Sequence, residues 1–265
     1  MEFRTKRYPA QISALLAPEA CDSVKGRIEV PRSLGDESVR SEVSRDAGPD
    51  PMIEKLRSLL SYSWVYQSFW HAVGGPKRNR VLLREYIRPG PGDRVLDIGC
   101  GPGTMVPYLQ CAEYVGLDSS EEYIDRGRRR FPQARFVCQR VSQYDLVEPN
   151  YFDIVLSLGV LHHLDDDEAL TLFQIARAAM KPGARLVTID GVWTDDQSQV
   201  VKYLLSRDRG RFVRSEAGYR ALASKVFSSI ESSIRHDLLR IPYTLLILKC
   251  VRCRLAEMDH RTDDD

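Results

Sequence analysis

From Pro51 onward the apolar positions fall into two alternating rhythms. Ile53, Leu56, Leu60 and Trp64 recur at helical spacing, and Tyr66, Phe69 and Trp70 extend that run until Gly74-Gly75-Pro76 stops it. A second helix is expected from Arg80 to Ile87. Short apolar runs and helical patterns then alternate. Strands are expected at Arg94 to Ile98, Tyr114 to Leu117, Ala134 to Cys138, Phe152 to Leu158 and Ala184 to Ile189. Helices fall between them, at Thr104 to Leu109, Glu121 to Phe131 and Asp166 to Met180. Leu170, Phe173, Ala176 or Arg177, and Met180 mark the register of the last, which Lys181-Pro182-Gly183 ends. Strand–helix alternation of this kind predicts a parallel sheet with helices on both faces.

After Asp190 the alternation pauses. A polar loop precedes the amphipathic stretch Val200 to Leu205, and a helix is expected from Glu216 to Val226. Strands at Ser229 to Asp237 and Tyr243 to Val251 are joined through Arg240-Ile241-Pro242, a connection so short that the pair must be antiparallel. At the other end, Cys21 to Asp50 mixes polar, charged, Pro and Gly residues with no sustained period. Residues 1–50 are therefore expected to be a disordered tail. The organisation predicted is cap helices over 51–92, a ligand-binding core over 93–190, a substrate-side insertion over 191–228 and a closing hairpin over 229–255, within one domain spanning 51–265.

Composition narrows the partners. Lys plus Arg number 38 against 37 Asp plus Glu, so no excess of positive charge points to nucleic acid. The basic run Arg126 to Arg130 reads as a solvated helix face. Tyr243 to Val251 is too short to span a bilayer, and the first twenty residues lack an apolar stretch long enough for a secretory signal. Six scattered cysteines, with Cys250 and Cys253 at the end of an expected strand and no second ligand pair, predict buried or incidental thiols and no metal site. A reducing cytoplasm is the simplest compartment.

The chemistry concentrates in Arg94-Val-Leu-Asp-Ile-Gly-Cys-Gly-Pro-Gly-Thr-Met105, where glycines stand at 99, 101 and 103. In an open parallel sheet the first strand-to-helix loop lies at the ligand-binding crevice. The dinucleotide fingerprint needs a third glycine where Thr104 stands. Asp97-Ile-Gly-Cys-Gly-Pro-Gly103 instead resembles the first motif of class I S-adenosylmethionine-dependent methyltransferases, an acid followed by G-x-G-x-G. Tyr114-Val-Gly-Leu-Asp118 ends the second strand on an acid suited to ribose hydroxyls. Phe152 to Leu164, ending Gly159-Val-Leu-His-His-Leu164, and Lys181 to Val187 resemble the family's fourth and fifth motifs. The resemblance covers about residues 52 to 255. It implies a Rossmann-like α/β fold with a seven-stranded, mostly parallel sheet and an antiparallel terminal hairpin. In its Gly159 to Leu164 motif the chain resembles bacterial enzymes of the ubiquinone/menaquinone-methyltransferase-like group.

What the resemblance implies about residues follows motif by motif. Asp97, Gly99, Cys100, Gly101, Gly103, Asp118, Ser119 and Leu158 are expected to hold S-adenosylmethionine, with Tyr66 as a lid. Arg140 stands where the family usually has an acid for the adenine amino group, so adenine is expected to be read by backbone near Val141, with Gln139 or Gln143 helping. His162 and His163, just past the fourth strand, are candidates for a base or a substrate contact; the bland reading is that they shape the turn. Asp190 and the set Arg209, Arg211 and Tyr219 are candidate contacts for an anionic or polyhydroxylated substrate, and surface salt bridging is the alternative for the arginines. The expected function is methyl transfer from S-adenosylmethionine to an oxygen, nitrogen or carbon of a small molecule. A catalytically weak methyltransferase-like binding protein and, on the related fold, an NAD-dependent oxidoreductase are the alternatives.

Overall fold

The computed structural model describes residues 72–111, 113–141, 149–206 and 210–253. The strands form where apolar runs alternate with helical ones: β1 (Arg94–Ile98), β2 (Glu113–Asp118), β3 (Arg135–Cys138), β4 (Phe152–Leu158) and β5 (Met180–Trp193). A two-residue strand, β6 (Arg214–Ser215), and the pair β7 (Ser229–Arg235) and β8 (Leu245–Val251) follow. The order across the sheet is β3-β2-β1-β4-β5-β8-β7, with β6 paired to β5. All pairs from β3 to β5 are parallel, while β8 runs antiparallel to both β5 and β7. The expected Rossmann-like sheet and its closing hairpin are both present.

Both faces of the sheet are covered, which is why the strands read as continuous apolar runs. One face packs Leu96, Leu117, Val155 and Leu186 against Phe173 and Leu222. The other packs Val95, Ile154, Val187 and Ile247 against Leu82 and Ile124. In chain order the helices are α1 (Gly75–Leu82), α2 (Glu121–Arg130), α3 (Asp166–Ala179), α4 (Gln199–Ser206) and α5 (Glu216–Ser224). Each of α2, α3 and α5 starts at a side chain that accepts a backbone N–H: Ser120, Asp165 and Ser215. At α3, Asp165 and Glu168 form a reciprocal capping box. Among the described residues no helix is long and apolar enough to cross a membrane.

Several boundaries differ from the expectations. Gly74-Gly75-Pro76 opens a helix: Gly74 takes a left-handed φ of 97° and Pro76 sits in the first turn, where its missing N–H costs nothing. α1 therefore begins five residues before Arg80, and a π-turn, Leu83–Ile87, finishes it. The helix expected from Thr104 to Leu109 shrinks to a 3₁₀ turn, Val106–Tyr108, because Pro107 has no N–H to give to a longer ladder. β5 is longer than expected at both ends. Its start absorbs Lys181-Pro182-Gly183 through a register shift opposite Phe152–Ile154, and its end pairs Gly191 with Leu245 and Val192 with Arg214. The apolar helical pattern of 53–70 and the tail of 1–50 lie outside the described residues.

Candidate active site

The strand order reverses between β1 and β4, so loops leaving those strands diverge at their carboxyl ends and leave a crevice. The glycine loop stands at one wall of it. Gly99 and Cys100 both donate their N–H to the Leu117 carbonyl, at 2.7 and 3.0 Å, which hooks the loop over the end of β2. Gly99, Gly101 and Gly103 all have positive φ, at 74°, 54° and 74°. Their surroundings separate their roles. A methyl group on Gly99 would collide with Val160, and one on Gly103 would lie 2.8 Å from Phe136 Cζ. A methyl group on Gly101 would meet nothing within 4 Å. The loop is packed at both ends and open in the middle.

Acids brace that open middle. Asp118 accepts from the Gly101 N–H at 2.8 Å and from the Ser120 N–H at 2.9 Å, one on each carboxylate oxygen. Each oxygen keeps a further lone pair for a ligand hydroxyl. Asp97, only 2% exposed, accepts from the Tyr114 hydroxyl at 2.8 Å. Burial is the main force on its carboxyl and raises it to about 6; the Tyr114 hydroxyl and the Arg78 guanidinium oppose that rise, and the Asp118 charge adds to it. Burial pushes the Cys100 thiol up as well, which leaves it neutral.

Arg78 and Asn79 are buried polar residues that the sequence pattern hid, and the Arg78 charge acts on Asp97. Both are buried on α1, and Arg78 donates to Asn79 Oδ1 from Nε and Nη2 at 3.3 and 3.1 Å. The signal was present: Gly75, Arg78, Asn79 and Leu82 follow one helical face, so the two polar residues share the face of a core leucine. Gly116 and Gly127 were also missed. A methyl group on Gly116 would sit 2.7 Å from Cys100 Sγ, and one on Gly127 2.6 Å from Phe136 Cε1.

The opposite wall is built by the turn after β4. His162 is buried and His163 exposed, their rings 4.2 Å apart. His162 Nδ1 lies 2.8 Å from Asp190 Oδ1, and the same oxygen faces the His162 backbone N–H at 3.3 Å. Asp190 is 2% exposed and its Oδ2 is buried without a hydrogen-bond partner. Arg214 fastens the turn from outside: it donates to the carbonyls of Leu161, Leu164 and Phe212 at 3.0, 2.8 and 3.0 Å and pairs with Asp166. Gly210 packs directly on the His162 ring, where a side chain would collide.

The remaining expected positions divide. Leu158 packs into the core face beside the loop, and Ser119 is exposed at the end of β2. Gln139 donates its N–H to the Asp118 carbonyl at 2.9 Å, which extends the strand pairing toward Val141. Arg140 is exposed. Arg211 is exposed too, whereas Tyr219, expected at the substrate, is 1% exposed in the core and donates its hydroxyl to the Gly191 carbonyl at 3.0 Å. Burial, and after it the Asp190 charge, pushes that hydroxyl up. Tyr66, Gln143 and Arg209 lie outside the described residues.

A family described as a methyltransferase domain matches residues 95–183, about a third of the chain. An uncharacterized methyltransferase of Synechocystis is 30% identical over 135 residues, covering 49% of this chain and 63% of the relative. A demethylmenaquinone methyltransferase of Renibacterium salmoninarum is 28% identical, covering 45% of this chain and 50% of the relative. The chain spans between 24% and 72% of the length of these curated relatives. In three dimensions it resembles phosphoethanolamine N-methyltransferase 2 of Haemonchus contortus, solved with S-adenosyl-L-methionine. The TM-score is 0.59 at 20% identity, over 75% of this chain and 57% of that one.

Proposed function

We propose, from the premise that this chain carries a methyltransferase domain of the class I S-adenosylmethionine-dependent family, that it methylates an oxygen, nitrogen or carbon of a small-molecule acceptor. One observation carries the cofactor assignment: the Gly101 backbone, held at positive φ, open on its outer side and tied by its N–H to Asp118. A side chain at 101 would fill the space that a ligand edge needs, so the residues present fit the group. When bound, S-adenosylmethionine supplies an electrophilic methyl group on a cationic sulfur.

The chain's own residues then hold and orient. Asp118 offers two carboxylate oxygens to ribose hydroxyls while it keeps the loop in place. Asp97, ionised, suits the ammonium of the amino-acid portion, and the Arg78 charge favours that ionised form. Backbone around Val141 reads the adenine edge, since Arg140 is exposed and a guanidinium offers no acceptor to the adenine amino group. Orientation of a nucleophile along the carbon–sulfur axis lowers a barrier by roughly 7–11 kcal/mol in well-aligned cases. A relative named as a demethylmenaquinone methyltransferase supports a small-molecule acceptor.

Calorimetric titration tests this reading. S-adenosylmethionine and S-adenosylhomocysteine are expected to bind in the micromolar range and NAD not at all. Asp118→Ala should weaken S-adenosylhomocysteine about tenfold or more, since each charge-assisted hydrogen bond is worth roughly 1.5–3 kcal/mol. Asp118→Asn, which keeps one acceptor oxygen, should lose less. Unchanged affinity in Asp118→Ala would sink the ribose assignment.

A further inference from the structure

We infer that Arg80, Arg84 and Arg88 form a second binding site, separate from the glycine crevice, for a small molecule that carries more than one phosphate group. The three stand four residues apart: Arg80 on α1, Arg84 in the π-turn that finishes it and Arg88 just after that turn. All three are exposed, and they border one hollow of about 360 Å³. Leu83 and Pro89 give it an apolar wall, and Tyr108 and Gln110 reach it from the segment before β2. Hollows that take small ligands run from roughly 300 to 1,000 Å³. This one lies at the other end of the sheet from the glycine loop. Arg88 leads into the amino end of β1, whereas Gly99 leaves its carboxyl end.

The first ground is charge. Like charges four residues apart on a helix repel. Among the described residues the carboxylate paired with this row is Glu85, which Arg84 meets at 2.9 Å and Arg235 at 2.7 Å. The Arg84 side chain is 79% exposed, so that pair does little to neutralise the row. A helix end attracts cations through its carbonyls, but that field fades within the last turn and does not reach back to Arg80. Guanidinium forks match phosphate oxygens two at a time, so several phosphates on one molecule answer several arginines. The chain as a whole carries a net charge of only +1, which makes the row a local excess and favours a small anion over a long polyanion.

The second ground is backbone. Arg88 has φ 46° and ψ 58°, the left-handed conformation in which a Cβ crowds a carbonyl oxygen and glycine is the usual residue after a helix. Among the described residues the other non-glycine with positive φ is Asn150, a type that tolerates it. The helix end is already satisfied without the Arg88 guanidinium. Arg185 donates to the carbonyls of Ile87 and Arg88 at 2.7 and 2.8 Å, and the Arg88 N–H reaches the Leu83 carbonyl at 2.7 Å. What this strained position gains from arginine instead of glycine is a guanidinium at the hollow.

Calorimetric titration of the full chain with inorganic pyrophosphate, at physiological ionic strength, tests the site. Saturable binding with a Kd below about 1 mM is expected. The double variant Arg80→Gln/Arg88→Gln should weaken it about tenfold or more, while Arg129→Gln, exposed on α2, should leave it unchanged. Arg88→Gly separates ligand from fold: it should weaken pyrophosphate and yet raise the midpoint of thermal unfolding, because glycine relieves the left-handed strain. Absence of saturable binding, equal binding by the double variant, or a lower unfolding midpoint in Arg88→Gly each overturns the site. So does displacement of pyrophosphate by saturating S-adenosylhomocysteine, which would place the anion in the glycine crevice. The titration and its competition need no variant, so a misfolded one does not spoil them. A single-stranded RNA oligonucleotide that binds through the same arginines more tightly than pyrophosphate, with affinity falling steeply as salt rises, overturns the small-molecule assignment.

Discussion

Gly99 and Gly101 share a left-handed backbone and differ in what surrounds them, which makes their substitutions separable. Gly99→Ala forces a methyl group into Val160 as well as a strained φ, so it should lower stability by about 2–4 kcal/mol. Gly101→Ala meets no atom and should cost roughly 1–2 kcal/mol from backbone strain alone. Its larger effect should be on S-adenosylhomocysteine affinity, lowered about tenfold or more. Thermal unfolding and calorimetry on the two variants check this; equal losses of stability would show that Gly101 is also packed. The spacing of the glycines was legible in the sequence, but this division of labour was not. It depends on Val160 and Phe136, which reach the loop from distant segments. Asp190 and His162 were likewise visible as single candidates at strand ends. Their pairing across 28 residues was not, because a one-residue change in register on either strand would have turned them to opposite faces.

Among elements, the turn between β4 and α3 depends on a side chain that enters from outside it. Arg214 directs its donors to three carbonyls of the segments around that turn. The ion pair with Asp166 adds little, since that carboxylate is 75% exposed. Arg214→Met should therefore destabilise the protein by on the order of 2–4 kcal/mol, and Asp166→Ala by less than about 1 kcal/mol. Denaturant unfolding of the two variants distinguishes a carbonyl clamp from a salt bridge, and comparable losses would favour the bridge. Strands β1 to β4 and helices α2 and α3 were read with boundaries nearly right, because apolar period and end signals agreed there. The misread elements involve proline. Pro76 starts a helix, Pro107 shortens one and Pro182 lies inside a strand, and a proline constrains φ without saying which neighbour pattern it serves.

For the whole molecule, Asp97 links protonation to stability and, on the function proposed above, to ligand affinity. Its carboxyl is raised to about 6 in the fold against about 3.9 in an unfolded chain. The fold thus holds this proton more tightly than the unfolded chain does. The stabilisation is complete below about pH 4 and is lost as pH rises through about 6, on the order of 3 kcal/mol at full extent. Asp97→Asn should abolish that part of the pH dependence of unfolding. Affinity should run the other way. An ammonium group needs the ionised acid, so S-adenosylmethionine should bind more weakly below about pH 6 and release close to one proton on binding there. Calorimetry in buffers of different ionisation heat measures that proton; none released at pH 5.5 would place the ammonium elsewhere.

The position of β8 has a consequence for how the molecule comes into being. It lies between β5 and β7 but is made after both, so Asp190 waits for Leu246 as its neighbour. About fifty residues separate the end of β5 from the start of β8. At about 5–20 residues per second of synthesis, that leaves the hydrogen-bonding edge of β5 bare for roughly 3–10 s on the ribosome. The nascent chain is most open to edge-to-edge aggregation in that interval, and the strand that bears Asp190 becomes an interior strand only when it ends.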